Sequence, residues 1–92
     1  MSATVPACFA IDGERVAEEL RGACEKLDSA SGEVVLDFSS VHRIDTGALM
    51  GMEKLARAAE GKNVRVALRG LTVENYKVLK LARLASRFSF AD

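Results

Sequence analysis

The chain has 92 residues, of which 49% are hydrophobic and 28% are charged. This length predicts one domain, residues 1–92, with a thin core, and the composition is too apolar for a disordered chain. Thirteen basic residues balance 13 acidic ones, so the chain lacks the basic excess typical of nucleic-acid binding and of membrane-surface binding. Because near-neutral chains tend to associate, a protein partner or a homodimer is expected.

The N-terminal third predicts a short strand and an amphipathic helix. Residues 5–11 fit a strand, and Pro6 places it at a sheet edge or a strand start. Asp12 fits a helix N-cap, which predicts a helix over residues 13–27. The apolar face of this helix repeats at helical spacing through Val16, Leu20, Ala23, Cys24 and Leu27.

The middle third predicts a buried strand and a second helix. Residues 34–38 are apolar except for Asp37, a run typical of a strand buried on both faces beside a parallel neighbour. A connection over residues 39–44 leads to a helix over 47–60, and Gly61 fits its C-cap. The predicted inner stripe consists of Leu49, Met52, Leu55, Ala56 and Ala59.

The last third predicts a strand over residues 63–69 with one face more exposed, a third helix capped by Thr72, and a short strand over 88–90. The core face of the third helix is predicted to contain Val78, Leu79, Leu81 and Ala82. Strands alternating with helices indicate an α/β fold with a small, mostly parallel sheet of about four strands and right-handed crossovers. About three to four helices are expected.

The junction between the second strand and the second helix carries an aspartate, a hydroxyl and a glycine. Asp45, Thr46 and Gly47 fall at the predicted helix N-terminus, where unpaired N–H groups and the helix dipole favour negative charge. One interpretation is that Asp45 or Thr46 is simply the N-cap. The other is that Thr46 accepts a phosphate at a position suited to an anion.

Helical geometry places further residues beside Thr46. Met50, Lys54 and Arg57 follow it along one stripe at steps of four, four and three. Met50 then either packs against a neighbouring helix or is an exposed apolar residue among charges, a type that recurs at binding surfaces.

Four segments together resemble the STAS domain family. They are residues 34–38 (VVLDF), 44–49 (IDTGAL), 64–70 (VRVALRG) and 78–84 (VLKLARL). The resemblance covers roughly residues 32–90 and implies a STAS-like fold. It also implies a regulatory role through protein binding, because the family includes bacterial anti-sigma-factor antagonists.

The resemblance makes Thr46 the phosphorylation candidate, since the residue after the motif aspartate is the one that a partner kinase modifies in antagonists. Gly47 and Ala48 stand where many antagonists have a second hydroxyl and then a glycine. This version resembles the MlaB-type STAS subunit of bacterial phospholipid-transport ABC systems, which implies docking onto the transporter's ATPase. An antagonist that binds an anti-sigma kinase is the alternative. The expected partner-binding residues are Ser40, His42, Arg43, Asp45, Thr46, Gly47, Met50, Lys54 and Arg57.

The sequence gives no pattern for catalysis, a cofactor or a metal. Asp45-Thr46-Gly47 also matches the tripeptide of aspartic proteases, but here it opens a helical pattern. His42 is the single histidine, and neither a Cys–His pair nor a P-loop is present. We therefore expect a non-enzymatic protein without cofactor or metal.

Sequence patterns also predict where the protein is located and whether it binds nucleic acid. The N-terminus lacks a basic region followed by an apolar run, and no stretch reaches the ~20 apolar residues that span a bilayer. A cytoplasmic protein with no direct membrane insertion is expected. Lys77, Lys80 and Arg83 form a modest basic stripe on the third helix, which we interpret as a solvated face and not as a nucleic-acid site.

Overall fold

The strands and helices alternate along the chain as predicted. A computed structural model describes residues 7–29 and 32–91, so Val5 and Pro6 of the first predicted strand lie outside the described residues. The elements are β1 (Ala7–Ala10), α1 (Val16–Glu25), β2 (Glu33–Asp37), α2 (Thr46–Gly61), β3 (Arg65–Arg69), α3 (Val73–Leu81) and β4 (Ser89–Ala91). Short 3₁₀ turns occupy Lys26–Ser29 and Ala85–Arg87.

The four described strands form one parallel sheet in the order β1-β2-β3-β4. Its register aligns Phe9 with Leu36, Leu36 with Leu68, and Leu68 with Phe90. Each strand therefore lies beside the one that precedes it in sequence, and the connecting helices supply the crossovers that parallel pairing requires. The predicted α/β class and parallel sheet are confirmed.

The core lies between one face of the sheet and the helices. Val34, Leu36 and Leu68 point into it and are buried, together with Leu20 from α1 and Met52 from α2. The other sheet face carries Cys8, Ala10, Arg65 and Arg69, all of which are exposed.

The prediction that β2 is buried on both faces is wrong. Val34 and Leu36 are fully buried, whereas Val35 is only half-buried. Successive side chains of a strand point to opposite faces, and Val35 shares its face with the exposed Cys8 and, through the register with β3, with Ala67, which is buried. The apolar run reflects a half-open sheet and not a layer between two sets of helices.

Helix α1 starts later than predicted, because Asp12 shapes a turn and does not cap the helix. Its Oδ1 accepts the N–H of Glu14 at 2.9 Å, and its carbonyl oxygen accepts the N–H of Arg15 at 3.0 Å. Such local side-chain bonds compete with helix formation. The helix then runs Val16–Glu25 with Arg15 at the N-cap position.

Helix α2 is longer than predicted and ends differently. It runs Thr46–Gly61, and Lys62 is its C-cap. Gly61 was expected to supply the terminal conformation, but Asn63 adopts the left-handed backbone with φ of 55°. Asparagine tolerates that region better than most residues, so the chain can turn two residues later and enter β3.

Helix α3 confirms its predicted cap and corrects its predicted core face. The hydroxyl of Thr72 accepts the N–H of Asn75 at 3.1 Å. Leu79 is buried as expected, but Leu81 is 86% exposed and Ala82 is also exposed. The helix stops at Leu81 because the chain reverses there through a left-handed Arg83 with φ of 62°.

Candidate functional site

Asp45 caps helix α2, so the side chain of Thr46 is not needed as the cap. The backbone of Asp45 is extended, and its Oδ1 accepts the N–H of Ala48 at 2.8 Å. Its carbonyl oxygen accepts the N–H of Leu49 at 2.9 Å. Asp45 is thus the N-cap that the sequence allowed, and Thr46 is the first helical residue. The exposed Thr46 hydroxyl has no hydrogen-bond partner among the described residues.

The loop before α2, residues 39–45, has two buried side chains among exposed ones. Val41 and Ile44 are buried in the core, and Val41 donates its N–H to the carbonyl of Phe38 at 2.9 Å. Ser40, His42, Arg43 and Asp45 are exposed between and beside these two anchors. The loop consequently presents polar side chains while its backbone is held by the core.

Two contacts from distant segments also hold this loop. Asn75 of α3 is only 3% exposed, and its Nδ2 donates to the carbonyl of Val41 at 3.1 Å. On the other side, a Cβ placed on Gly13 would collide with the carbonyl oxygen of Ser40. The loop is therefore clamped between α3 and the turn before α1.

The start of the loop is fixed at the end of β2. The carboxylate of Asp37 accepts the N–H of Ser39 at 2.8 Å and also its hydroxyl. These hydrogen bonds, and secondarily the nearby Arg69, lower the pKa of Asp37 below its ordinary value. Gly70 packs against Ser39 in a left-handed conformation with φ of 73°, where an added Cβ would collide with the serine hydroxyl.

The predicted stripe on α2 forms a continuous exposed surface with the loop. Thr46, Met50, Lys54 and Arg57 are all exposed, and Met50 is 58% exposed. Of the two interpretations of Met50, the exposed one is confirmed. Arg57 lies about 16 Å along the axis from Thr46, so it marks the far end of the stripe.

Met50 stands between two depressions. One, of about 160 Å³, separates the start of α2 from the end of α3. The other, of about 410 Å³, runs between α1 and α2, and we call it the α1–α2 groove. It is lined by Ala17, Arg21, Cys24, Gly47, Met50, Gly51 and Lys54.

Sequence reasoning missed the residues that hold the site in place. Asn75 was not singled out, although it lies four positions before the buried Leu79 on the same helix face. Gly13 and Gly70 also went unnoticed, because their contacts with the loop are made between segments far apart in sequence.

Neither a metal site nor a membrane-spanning helix is found among the described residues. Over residues 7–29 and 32–91, no three His, Cys, Asp or Glu side chains gather in a group that could hold a metal ion. His42 is exposed on the loop. Within the same residues, no helix is both long and apolar enough to pass through a membrane.

The fold is that of a small α/β domain with a parallel sheet. Its exposed feature is the clamped loop together with the N-terminus of α2. The family model described as "Mlab, STAS domain" matches residues 11–88. The chain belongs to the STAS domain family, whose members are generally non-enzymatic domains that bind protein partners.

Two solved structures of one protein, TM1081, share this fold. A candidate anti-sigma factor antagonist from Thermotoga maritima, solved by crystallography, has a TM-score of 0.72 at 18% identity, covering 91% of this chain and 73% of that one. The NMR structure of the protein TM1081 has a TM-score of 0.75 at 18% identity, covering 98% of this chain and 78% of that one. No curated protein sequence matches the chain.

Proposed function

We propose that this protein is a non-catalytic accessory subunit that docks onto the ATPase of a phospholipid-transport ABC system. The docking surface consists of the loop over residues 39–45 and the exposed stripe of α2, with Thr46 at its centre. The observation that carries the proposal is the exposed Thr46 at the start of α2, directly after a loop that is clamped by buried contacts. The match to a family model that bears the MlaB description supports the choice of partner.

Clamping favours binding because an ordered loop loses little conformational entropy when a partner docks. The side chains that would contact the partner are exposed, whereas Val41 and Ile44 keep the backbone in the core. Asn75 adds a buried hydrogen bond to the same backbone. The surface is thus rigid before the partner arrives.

Gly47 provides a specific test of whether the ATPase approaches the start of α2 closely. A Cβ on Gly47 would lie 3.6 Å from Oδ1 of Asp45, an ordinary contact, so the fold itself does not require glycine there. We propose that the missing side chain lets the backbone of the ATPase approach the first turn of α2. Gly47→Ala should keep the thermal stability and weaken docking by about 1–3 kcal/mol, the cost of an extra methylene in a well-packed core, which a closely packed interface resembles.

Gly61→Ala is the matched control, because a Cβ there meets nothing within 4 Å and the residue lies at the opposite end of α2. Titration of both variants with the purified ATPase subunit measures the difference. Equal affinities of the two variants would contradict close approach at Gly47.

Thr46→Glu should also weaken docking, because it buries an unpaired charge in the interface. Unchanged affinity of this variant would show that Thr46 is not at the centre of the docking surface.

The alternative is an anti-sigma factor antagonist that binds an anti-sigma kinase and is switched by phosphorylation of Thr46. The likeness to a solved candidate antagonist favours it. The N–H groups of Thr46 and Gly47 have no acceptor among the described residues, which suits a phosphate, although the adjacent carboxylate of Asp45 opposes a second anion. Recovery of a kinase that phosphorylates Thr46, in place of the ATPase, would establish this alternative.

A further inference from the structure

The α1–α2 groove adjoins the proposed docking surface and has small residues in its lining. Ala17 lines it from α1, and Gly47 and Gly51 line it from α2. The two helices approach closely at Gly51, where an added Cβ would lie 3.2 Å from Cδ1 of Leu20. From Gly47 to Lys54 the groove extends about 10 Å along α2, or two helical turns.

The residues that line this groove include two cations and no acid. Arg21 projects from α1 and Lys54 from α2, and both are exposed. Neither forms an ion pair with any residue in the described part of the chain. The groove thus combines a mainly apolar lining with positive charge contributed by both helices.

We infer that the α1–α2 groove receives an acidic, amphipathic helical segment of the docked ATPase. This inference rests on the proposed function and adds the chemistry of the partner's contact. Ridges of side chains on one helix pack into grooves between others, and the small residues of the lining allow the segment to approach closely. Apolar side chains of the segment cover Ala17 and Gly51, and its carboxylates lie beside Arg21 and Lys54.

The two cysteines provide an internal measurement of groove occupancy. Cys24 lies in the groove and is half-buried, whereas Cys8 is exposed on the open sheet face. Burial raises the pKa of the Cys24 thiol and the charge of Glu25 raises it further, whereas the nearby Lys62 and Lys54 partly oppose the shift. The modification rate of Cys24 must therefore be compared with its own rate in the free protein, not with that of Cys8.

The experiment is modification by N-ethylmaleimide at constant pH, followed by mass spectrometry, with and without the purified ATPase subunit. With the ATPase at about ten times its Kd, roughly nine-tenths of the protein is bound and the rate at Cys24 falls about tenfold. The rate at Cys8 stays unchanged, because the open sheet face is not part of the contact.

Charge reversal tests the acidic character of the segment. Arg21→Glu and Lys54→Glu should each weaken binding of the ATPase about tenfold or more, because like charges then face each other across the contact. Arg65→Glu is the matched control, since Arg65 is exposed on the opposite sheet face. Wild-type affinity in both groove variants would overturn the acidic partner segment.

The possible outcomes separate the inference from the proposed function. If the ATPase binds and Thr46→Glu weakens it, but Cys24 reacts at its free rate, the groove inference is wrong and the proposed function stands. If the ATPase does not bind at all, both are wrong. Protection of Cys24 by phosphatidylglycerol vesicles without the ATPase would assign the groove to lipid and also overturn the inference.

Discussion

The substitution Asn75→Ala tests the clamp that holds the docking loop. It removes the amide that donates to the carbonyl of Val41 at 3.1 Å, in a site where Asn75 is 3% exposed. An unsatisfied buried carbonyl costs about 1–3 kcal/mol, so we expect a loss of about 2 kcal/mol in the free energy of unfolding. For a domain of this size that loss lowers Tm by roughly 8–16 °C.

Urea unfolding followed by circular dichroism measures this loss directly. Lys77→Ala is the control, because Lys77 is exposed on the same helix and such substitutions usually stay within about 0.5 kcal/mol. The clamp also positions the docking surface, so Asn75→Ala should weaken binding of the ATPase even at temperatures where the variant is fully folded.

Asn75→Asp extends the same test with pH. A carboxylate buried beside a carbonyl is disfavoured, so its pKa is raised in the folded state. The destabilisation is therefore full above the folded pKa and disappears as pH falls below the unfolded value of about 3.9. If Asn75→Ala costs less than about 0.5 kcal/mol and Asn75→Asp shows no such recovery at low pH, the carbonyl of Val41 does not depend on Asn75 and the clamp is refuted.

Three further predictions concern the sheet and the ends of its strands. Hydrogen bonds from the following loop, and then a neighbouring arginine, lower the pKa of Asp37 below its ordinary value of 3.8. Its carboxylate therefore stabilises the fold above that pH, and this stabilisation is lost as pH falls through the lowered pKa. Thermal unfolding should show that Asp37→Asn lowers Tm at neutral pH and that its difference from the wild type shrinks as the solution is acidified below that ordinary value. Gly70→Ala should lower the free energy of unfolding in urea by about 2 kcal/mol or more, because it combines a left-handed backbone with a collision. Gly22→Ala is the control, since an added Cβ in α1 meets nothing within 4 Å, and it should raise the free energy of unfolding by up to about 1 kcal/mol. Equal effects of the two substitutions would contradict the geometry at Gly70. Val34→Asp places a charge in the core and should abolish cooperative unfolding, whereas Val35→Asp on the half-open face should unfold cooperatively at a lower temperature.

Features set by local chemistry were predictable from the sequence. The Thr72 cap depends on a hydroxyl three residues before the N–H that it accepts, a spacing that is visible in one dimension. The inner stripe of α2 follows the helical repeat, and Met52, Leu55, Ala56 and Ala59 are buried as expected. Parallel pairing followed from strands that alternate with helices, because such strands need a crossover to pair.

Features set by competition between segments were not predictable. Asp12 is a residue type that often caps helices, but here its side chain stabilises a turn. Asn63 adopts the left-handed conformation that was expected at Gly61. Leu81 matched the apolar period of α3, but the helix ends there and leaves it exposed. These outcomes depend on where the chain must turn to reach the next strand, which no local pattern records.

The site was predictable in part for the same reason. The exposure of Thr46 and Met50 follows from helical geometry around one junction. The hydrogen bond of Asn75 to Val41 joins residues 34 positions apart, and the contact of Gly13 with Ser40 joins two different connections. The sequence therefore indicated what the surface displays, and the structure was needed to show what holds it.

The clamped loop also has a consequence for amide hydrogen exchange. The N–H of Val41 is bonded to Phe38, its carbonyl is bonded to α3, and its side chain is in the core. This amide cannot open by local fraying, since opening removes Val41 and a buried amide of α3 from the core together. Its exchange should require the global unfolding event, unlike that of an ordinary exposed loop. Val41 is then expected to be among the slowest-exchanging residues of the chain, although it lies in the loop whose neighbouring side chains meet the partner, and its exchange rate should report the stability of the whole sheet.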